Sequence, residues 1–136
     1  MPNKKSWRAV APKKIKPTVP ALTKTILKEK ADKLIDEVIK PRHVQPAPTN
    51  PNFNYIADIN SKWYRNYFYF CATYNCPSPN ALSPSFETKF TRIEYVAEDR
   101  FNLAYMRHTE QWFEVVQNIS MDECLKLIEE NPIFWP

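Results

Sequence analysis

The stretch Trp63-Tyr64-Arg65-Asn66-Tyr67-Phe68-Tyr69-Phe70-Cys71-Ala72-Thr73-Tyr74 decides how this chain folds, because seven of its twelve residues are aromatic. Rings pack well on a pleated surface and lose rotamer freedom in a helix, so a run this dense reads as β-strand. Strict alternation sets Tyr64, Phe68, Phe70 and Tyr74 on one face and Trp63, Arg65, Tyr67 and Tyr69 on the other. The first face suits a core beneath helices. The second is an aromatic surface carrying Arg65, with Lys62 beside it.

Working outward, Tyr55, Ala57 and Ile59 alternate with Ile56 and Asp58, and Asn60-Ser61 separates that strand from the aromatic one. Cys76 to Pro84 is a proline-punctuated loop in which Asn80 is the best candidate for a left-handed backbone. Phe86–Val96 reads as a long strand whose apolar parity shifts near Arg92, as a bulge would cause. Ala97-Glu98-Asp99-Arg100 reads as a hairpin turn. Phe101–His108 and Trp112–Gln117 follow as strands joined by Thr109-Glu110-Gln111.

Helices bracket this region. Between residues 21 and 40, Leu27, Ala31, Leu34 and Val38 recur at helical spacing, and Ile26, Ile35 and Ile39 widen the stripe. Pro41 is expected to end that helix. At the other end Ser120 and Glu123 form a capping box, with Met121, Cys124, Leu125 and Ile128 facing inward and Asn131-Pro132 as the stop. Ile133, Phe134 and Trp135 then read as a tail tucked onto the domain. The expected fold class is therefore α+β: an N-terminal helix, an antiparallel sheet of four to five strands and a C-terminal helix. Residues 1–20 read as a flexible basic arm, 21–136 as a single domain, and 41–53 as a proline-rich crossing segment holding a surface histidine, His43.

Composition narrows the functional classes. None of the 136 residues is glycine. The dinucleotide fingerprint, the phosphate-cradling loop and the hydrolase nucleophile elbow all depend on glycine and are absent in their usual forms. No run of about 18 apolar residues suggests a membrane span, and no apolar stretch follows the N-terminal lysines as a secretory signal would. Three cysteines form an odd set, which points to a reducing, cytoplasmic setting. Cys71 and Cys124 read as small buried hydrophobes, and Cys71-x4-Cys76 has no partner spacing that builds a metal centre, so no metal and no cofactor is expected.

Charge is segregated. Residues 1–45 hold twelve basic against four acidic residues, and residues 46–136 hold seven against eleven. Lys4, Lys5, Arg8, Lys13, Lys14 and Lys16 have no acidic neighbour, so the arm suits an acidic surface or nucleic acid. Trp7 beside Arg8 tilts it toward contact.

Two constellations could carry function. Arg107-His108-Thr109-Glu110-Gln111-Trp112 would serve an enzyme with His108 as base, Arg107 as anion clamp and Glu94 or Glu110 orienting the imidazole. A polar hairpin with Arg107 and His108 bonding across strands explains the same residues more simply. The second is the aromatic strand with Lys62, Trp63, Arg65, Tyr67 and Tyr69. Tyr, Trp and Arg are the residues of protein interfaces, while a base-stacking sheet would need its accompanying glycines.

Phe53-Asn54-Tyr55-Ile56, Lys62-Trp63-Tyr64, Tyr67 to Cys71, Ser83 to Glu87, Tyr105 to Thr109 and Asp122 to Leu125 together resemble a conserved, uncharacterised family of small bacterial proteins, cyanobacterial in the narrower form of that resemblance. The resemblance runs from about Leu22 to Pro136. It implies a recurrent domain and no activity. The leading expectation is a non-enzymatic binding or assembly module that meets a protein partner or a second copy through Lys62, Trp63, Arg65, Tyr67, Tyr69, Arg107 and Trp112. Nucleic-acid binding led by residues 1–16 comes second, and an enzyme using His108 and Arg107 comes last.

Overall fold

A computed structural model describes residues 17–136. The expectations for the arm and its cations up to Lys16 lie outside the described residues. Helix α1 spans Ala21–Leu34, continues through a π-helical turn, Ile35–Ile39, and closes in a short α2, Lys40–His43. Five strands follow, β1 Tyr55–Tyr64, β2 Tyr67–Asn75, β3 Ser85–Ala97, β4 Arg100–Met106 and β5 Trp112–Ile119, and then α3, Met121–Glu130, and a 3₁₀ turn, Pro132–Phe134. The strands pair antiparallel in chain order, so the sheet is a meander. The class is α+β.

The helices lie on one face of the sheet. Leu27, Ala31, Leu34, Ile35 and Ile39 from the first helix and Met121, Cys124 and Ile128 from α3 meet Ile59, Phe68, Phe70, Ile93, Phe101 and Leu103 from the strands. Phe134 seals one end, where its carbonyl accepts from the buried Thr91 hydroxyl at 2.8 Å. Ser61, the buried polar residue of β1, donates to Asp32 at 2.6 Å and accepts from Lys28 at 3.0 Å, which ties α1 to the sheet edge. Val19 is also buried in the core.

Three local expectations are corrected. Pro41 does not end the first helix. The π turn takes Lys40 N–H back to the Ile35 carbonyl and delivers Pro41 to the first turn of α2, where a proline's missing N–H costs nothing. The extra residue of that turn buries Ile39 fully, as the widened stripe implied, and leaves Val38 partly buried against the core. Asn60-Ser61 lies inside β1, and the chain reverses at Arg65-Asn66 instead. Asn80 is not left-handed; Arg65, Asp99, Glu110 and Asn118 take positive φ among the described residues. Each of the first three sits at a hairpin reversal, a place the absence of glycine leaves to other residue types.

Candidate functional site

Relocating the reversal to Arg65-Asn66 changes which ring faces where. A single strand would keep Trp63 in phase with Tyr67 and Tyr69. In the hairpin Trp63 pairs with Phe68 and Tyr64 with Tyr67, so the two-residue turn inverts the parity. Trp63 thus belongs to the helix side: its ring meets Phe68 edge-on at 5.1 Å and its indole N–H donates to the Lys24 carbonyl at 3.1 Å. It leaves the candidate binding set, because a core contact now explains it.

Tyr67 and Tyr69 alternate with the fully buried Phe68 and Phe70 and so point to the opposite face. No described helix covers that face. Tyr69 stands opposite Arg92 of β3, and Arg92 stands opposite Ala104 of β4. Ala104 is small enough for Trp112 of β5 to reach across it. The Arg92 guanidinium carbon consequently lies 4.8 Å from the Tyr67 ring centroid and 4.9 Å from that of Trp112. Trp112 also lies 5.8 Å from Tyr69, and the Lys89 ammonium 5.4 Å from Tyr69. Cation–π contacts at such distances contribute about 0.5–2 kcal/mol, more as they are desolvated. Two small residues of this face, Cys71 and Ala104, are buried although neither joins the main core.

A bulge sharpens the cluster. Phe70 pairs with Thr91 but Cys71 with Lys89, so Phe90 is the extra residue of β3. Phe90 and Thr91 both turn inward, and Lys89 and Arg92 become neighbours on the aromatic face. The parity shift noted near Arg92 is this feature, displaced by two residues. Sequence reading passed over Arg92 and Lys89 as site residues; the shift was the signal that pointed to them.

Of the remaining candidates, Lys62 shares the face and is bound to Glu87, which raises its pKa and lowers that of Glu87. Arg65 sits in the exposed turn over Tyr64, at 5.2 Å. Arg107 stacks on Phe113 at 5.1 Å. Phe113 pairs with Tyr105, one step out of phase with Trp112, so this contact lies away from the Arg92 cluster.

His108 is exposed in the loop between β4 and β5. Glu94, one of its expected orienting partners, pairs with Asn102 at the far end of β4 and accepts from the side chains of Asn66 and Asn102. The strand thus separates Glu94 from His108, whereas Arg107, His108 and Glu110 share the β4–β5 loop, where the Glu110 N–H donates to the Arg107 carbonyl at 2.9 Å. Burial, followed by the charge of Glu87, pushes the Cys71 thiol up to about 11, and burial pushes Cys124 to about 12. Both stay protonated thiols at neutral pH, poor nucleophiles and poor metal ligands. Among the described residues no three His, Cys, Asp or Glu side chains are placed to share a metal ion. Nor is any described helix long and apolar enough to cross a membrane.

His43 is half-buried rather than on the surface. Its ring lies 5.5 Å from Trp135, Arg42 stacks on the same indole at 5.4 Å, and its Nε2 is buried without a partner. The expected tail docking is thereby visible in part: Phe134 is buried and Trp135 half-buried, while Ile133 remains exposed.

A family model described as a domain of unknown function (DUF3024) matches residues 19–136. No curated protein and no solved structure matches the chain.

Proposed function

We propose that this chain, which belongs to the DUF3024 domain family, is a protein-binding module whose docking surface is the face of its sheet that no described helix covers. The observation that carries the reading is the cluster of Tyr67, Tyr69, Arg92 and Trp112 on that face. Tyr, Trp and Arg supply most of the energy at protein interfaces, because large rigid side chains bury much area at small entropic cost. An enzyme would instead need converging acid and base groups in a concavity. A partly aromatic, partly charged sheet face meets the interface description.

The test is capture of proteins from native extract on immobilised wild type and on the Tyr67→Ala/Trp112→Ala double variant. A specific partner held by wild type and lost by the variant supports the proposal; capture unchanged by the variant overturns it. Sedimentation of both purified proteins at micromolar concentration decides whether the partner is a second copy.

A second reading rests on the charge split. Six basic residues between Lys4 and Lys16 have no acidic neighbour. If each neutralises one phosphate, log affinity for duplex DNA falls with log salt at a slope of about −5. Removing residues 1–16 without loss of retention on a nucleic-acid column eliminates that reading.

A further inference from the structure

Four lysines of the helices and sheet have carboxylate partners. Lys28 meets Asp32, Lys30 meets Asp122, Lys40 meets Asp36 and Asp58, and Lys62 meets Glu87. Arg92 has none. No described residue gives it a hydrogen bond or an ion pair; its contacts are the faces of Tyr67 and Trp112. Its Nε is buried without an acceptor, whereas its terminal nitrogens are not closed off in that way. Lys89, its neighbour through the bulge, also lacks an ion pair among the described residues and rests on Tyr69.

We infer that Arg92, with Lys89 beside it, receives carboxylates from an acidic segment of the protein that docks on this face. The inference rests on the protein-binding reading and narrows it to a chemistry. A guanidinium held against two rings has already lost most of its rotamer freedom, so pairing costs little further entropy. Its planar fork matches a carboxylate with two parallel N–H···O bonds, and the aromatic walls strengthen them by excluding water. The bulge sets two unpaired cations side by side, which suits neighbouring acidic side chains on an extended peptide. A phosphodiester strand is the competing anion, and the experiment compares the two directly.

The experiment titrates the full chain with a hexaglutamate peptide and, separately, with a six-nucleotide oligothymidine. Binding is followed at the Arg92 Nε–H nuclear magnetic resonance signal, assigned by its loss in Arg92→Lys. That local signal separates this site from any binding by residues 1–16. The expected result is a saturable shift with hexaglutamate, at peptide concentrations about tenfold below those the oligothymidine needs. Arg92→Lys, checked by its melting temperature to be folded, should weaken the peptide response of the Trp112 indole N–H signal by about tenfold. A signal unmoved by hexaglutamate, or moved first by the oligothymidine, overturns the inference. Loss of partner capture in Tyr67→Ala/Trp112→Ala but not in Arg92→Lys would refute the carboxylate receptor and leave the docking face standing.

Discussion

Ala104 shows how much a single side chain decides here. It is buried on the aromatic face between Arg92 of β3 and Glu114 of β5, and its methyl group leaves the gap through which Trp112 reaches Arg92 and Tyr69. Ala104→Leu should fill that gap, lift Trp112 off the guanidinium and cost about 1–3 kcal/mol in urea unfolding. Unchanged stability together with an unshifted Trp112 indole N–H signal would contradict the packing described. His43 makes a second residue-scale prediction. Burial, followed by the charge of Arg42, lowers its pKa below the usual 6.5. A base whose folded pKa is depressed contributes fully above its unfolded pKa. That contribution is lost as pH falls through about 6.5, where the unfolded chain takes up a proton that the folded chain refuses. Glu87 and Glu123 are held below their usual 4.5 by Lys62 and by the Ser120 backbone, so their contributions persist until the pH drops beneath that value. Melting temperatures between about pH 5 and pH 8 should therefore fall toward the acid end in wild type and stay flatter in His43→Phe. Parallel profiles would remove His43 as the cause.

At the scale of elements, the C-terminal helix was the most legible part of the chain. Ser120 and Glu123 form the reciprocal cap their spacing implied: the serine hydroxyl accepts from the Glu123 N–H at 3.1 Å, and the glutamate from the Ser120 N–H at 3.0 Å. Asp99, in the β3–β4 turn, adds a bond from the Met121 N–H at 3.0 Å that joins helix start to hairpin. Ser120→Ala should cost about 1 kcal/mol, read as a lower urea midpoint with an unchanged slope; no change would mean that Asp99 caps the helix alone. The five strands and the first helix were equally open to periodicity. What periodicity misjudged were insertions and turns that change phase. The π turn at Ile35–Ile39 carried the helix past Pro41, the bulge at Phe90 moved the parity change two residues from its expected place, and the Arg65-Asn66 turn sent Trp63 to the core. Each leaves composition unchanged and alters only phase, which register across neighbouring strands reveals and a local pattern does not. Arg65 illustrates the difficulty: at φ 56° it occupies a turn position where glycine or asparagine is the ordinary signal.

Over the whole molecule, the two faces of the sheet have separate tasks. One is sealed by α1 and α3 through the aliphatic and phenylalanine core; the other carries tyrosine, tryptophan and two cations without carboxylate partners among the described residues. The aromatic excess was legible in the run from Trp63 to Tyr74, which nominated Tyr67 and Tyr69, while Trp112 was nominated from the hairpin that begins at Arg107. Arg92 was not, since its significance comes from Trp112 lying next to it two strands away, a proximity created by the meander and by Ala104. The most direct measurement of this division is hydroxyl-radical labelling of the purified protein against the same protein in native extract, read residue by residue by mass spectrometry. Labelling should fall in extract at Tyr67, Tyr69 and Trp112 and stay constant at Leu125 and Val38 in the groove between the helices. Equal labelling of the three rings in both conditions, or protection confined to the helical side, would contradict the assignment of the sheet face as the docking surface.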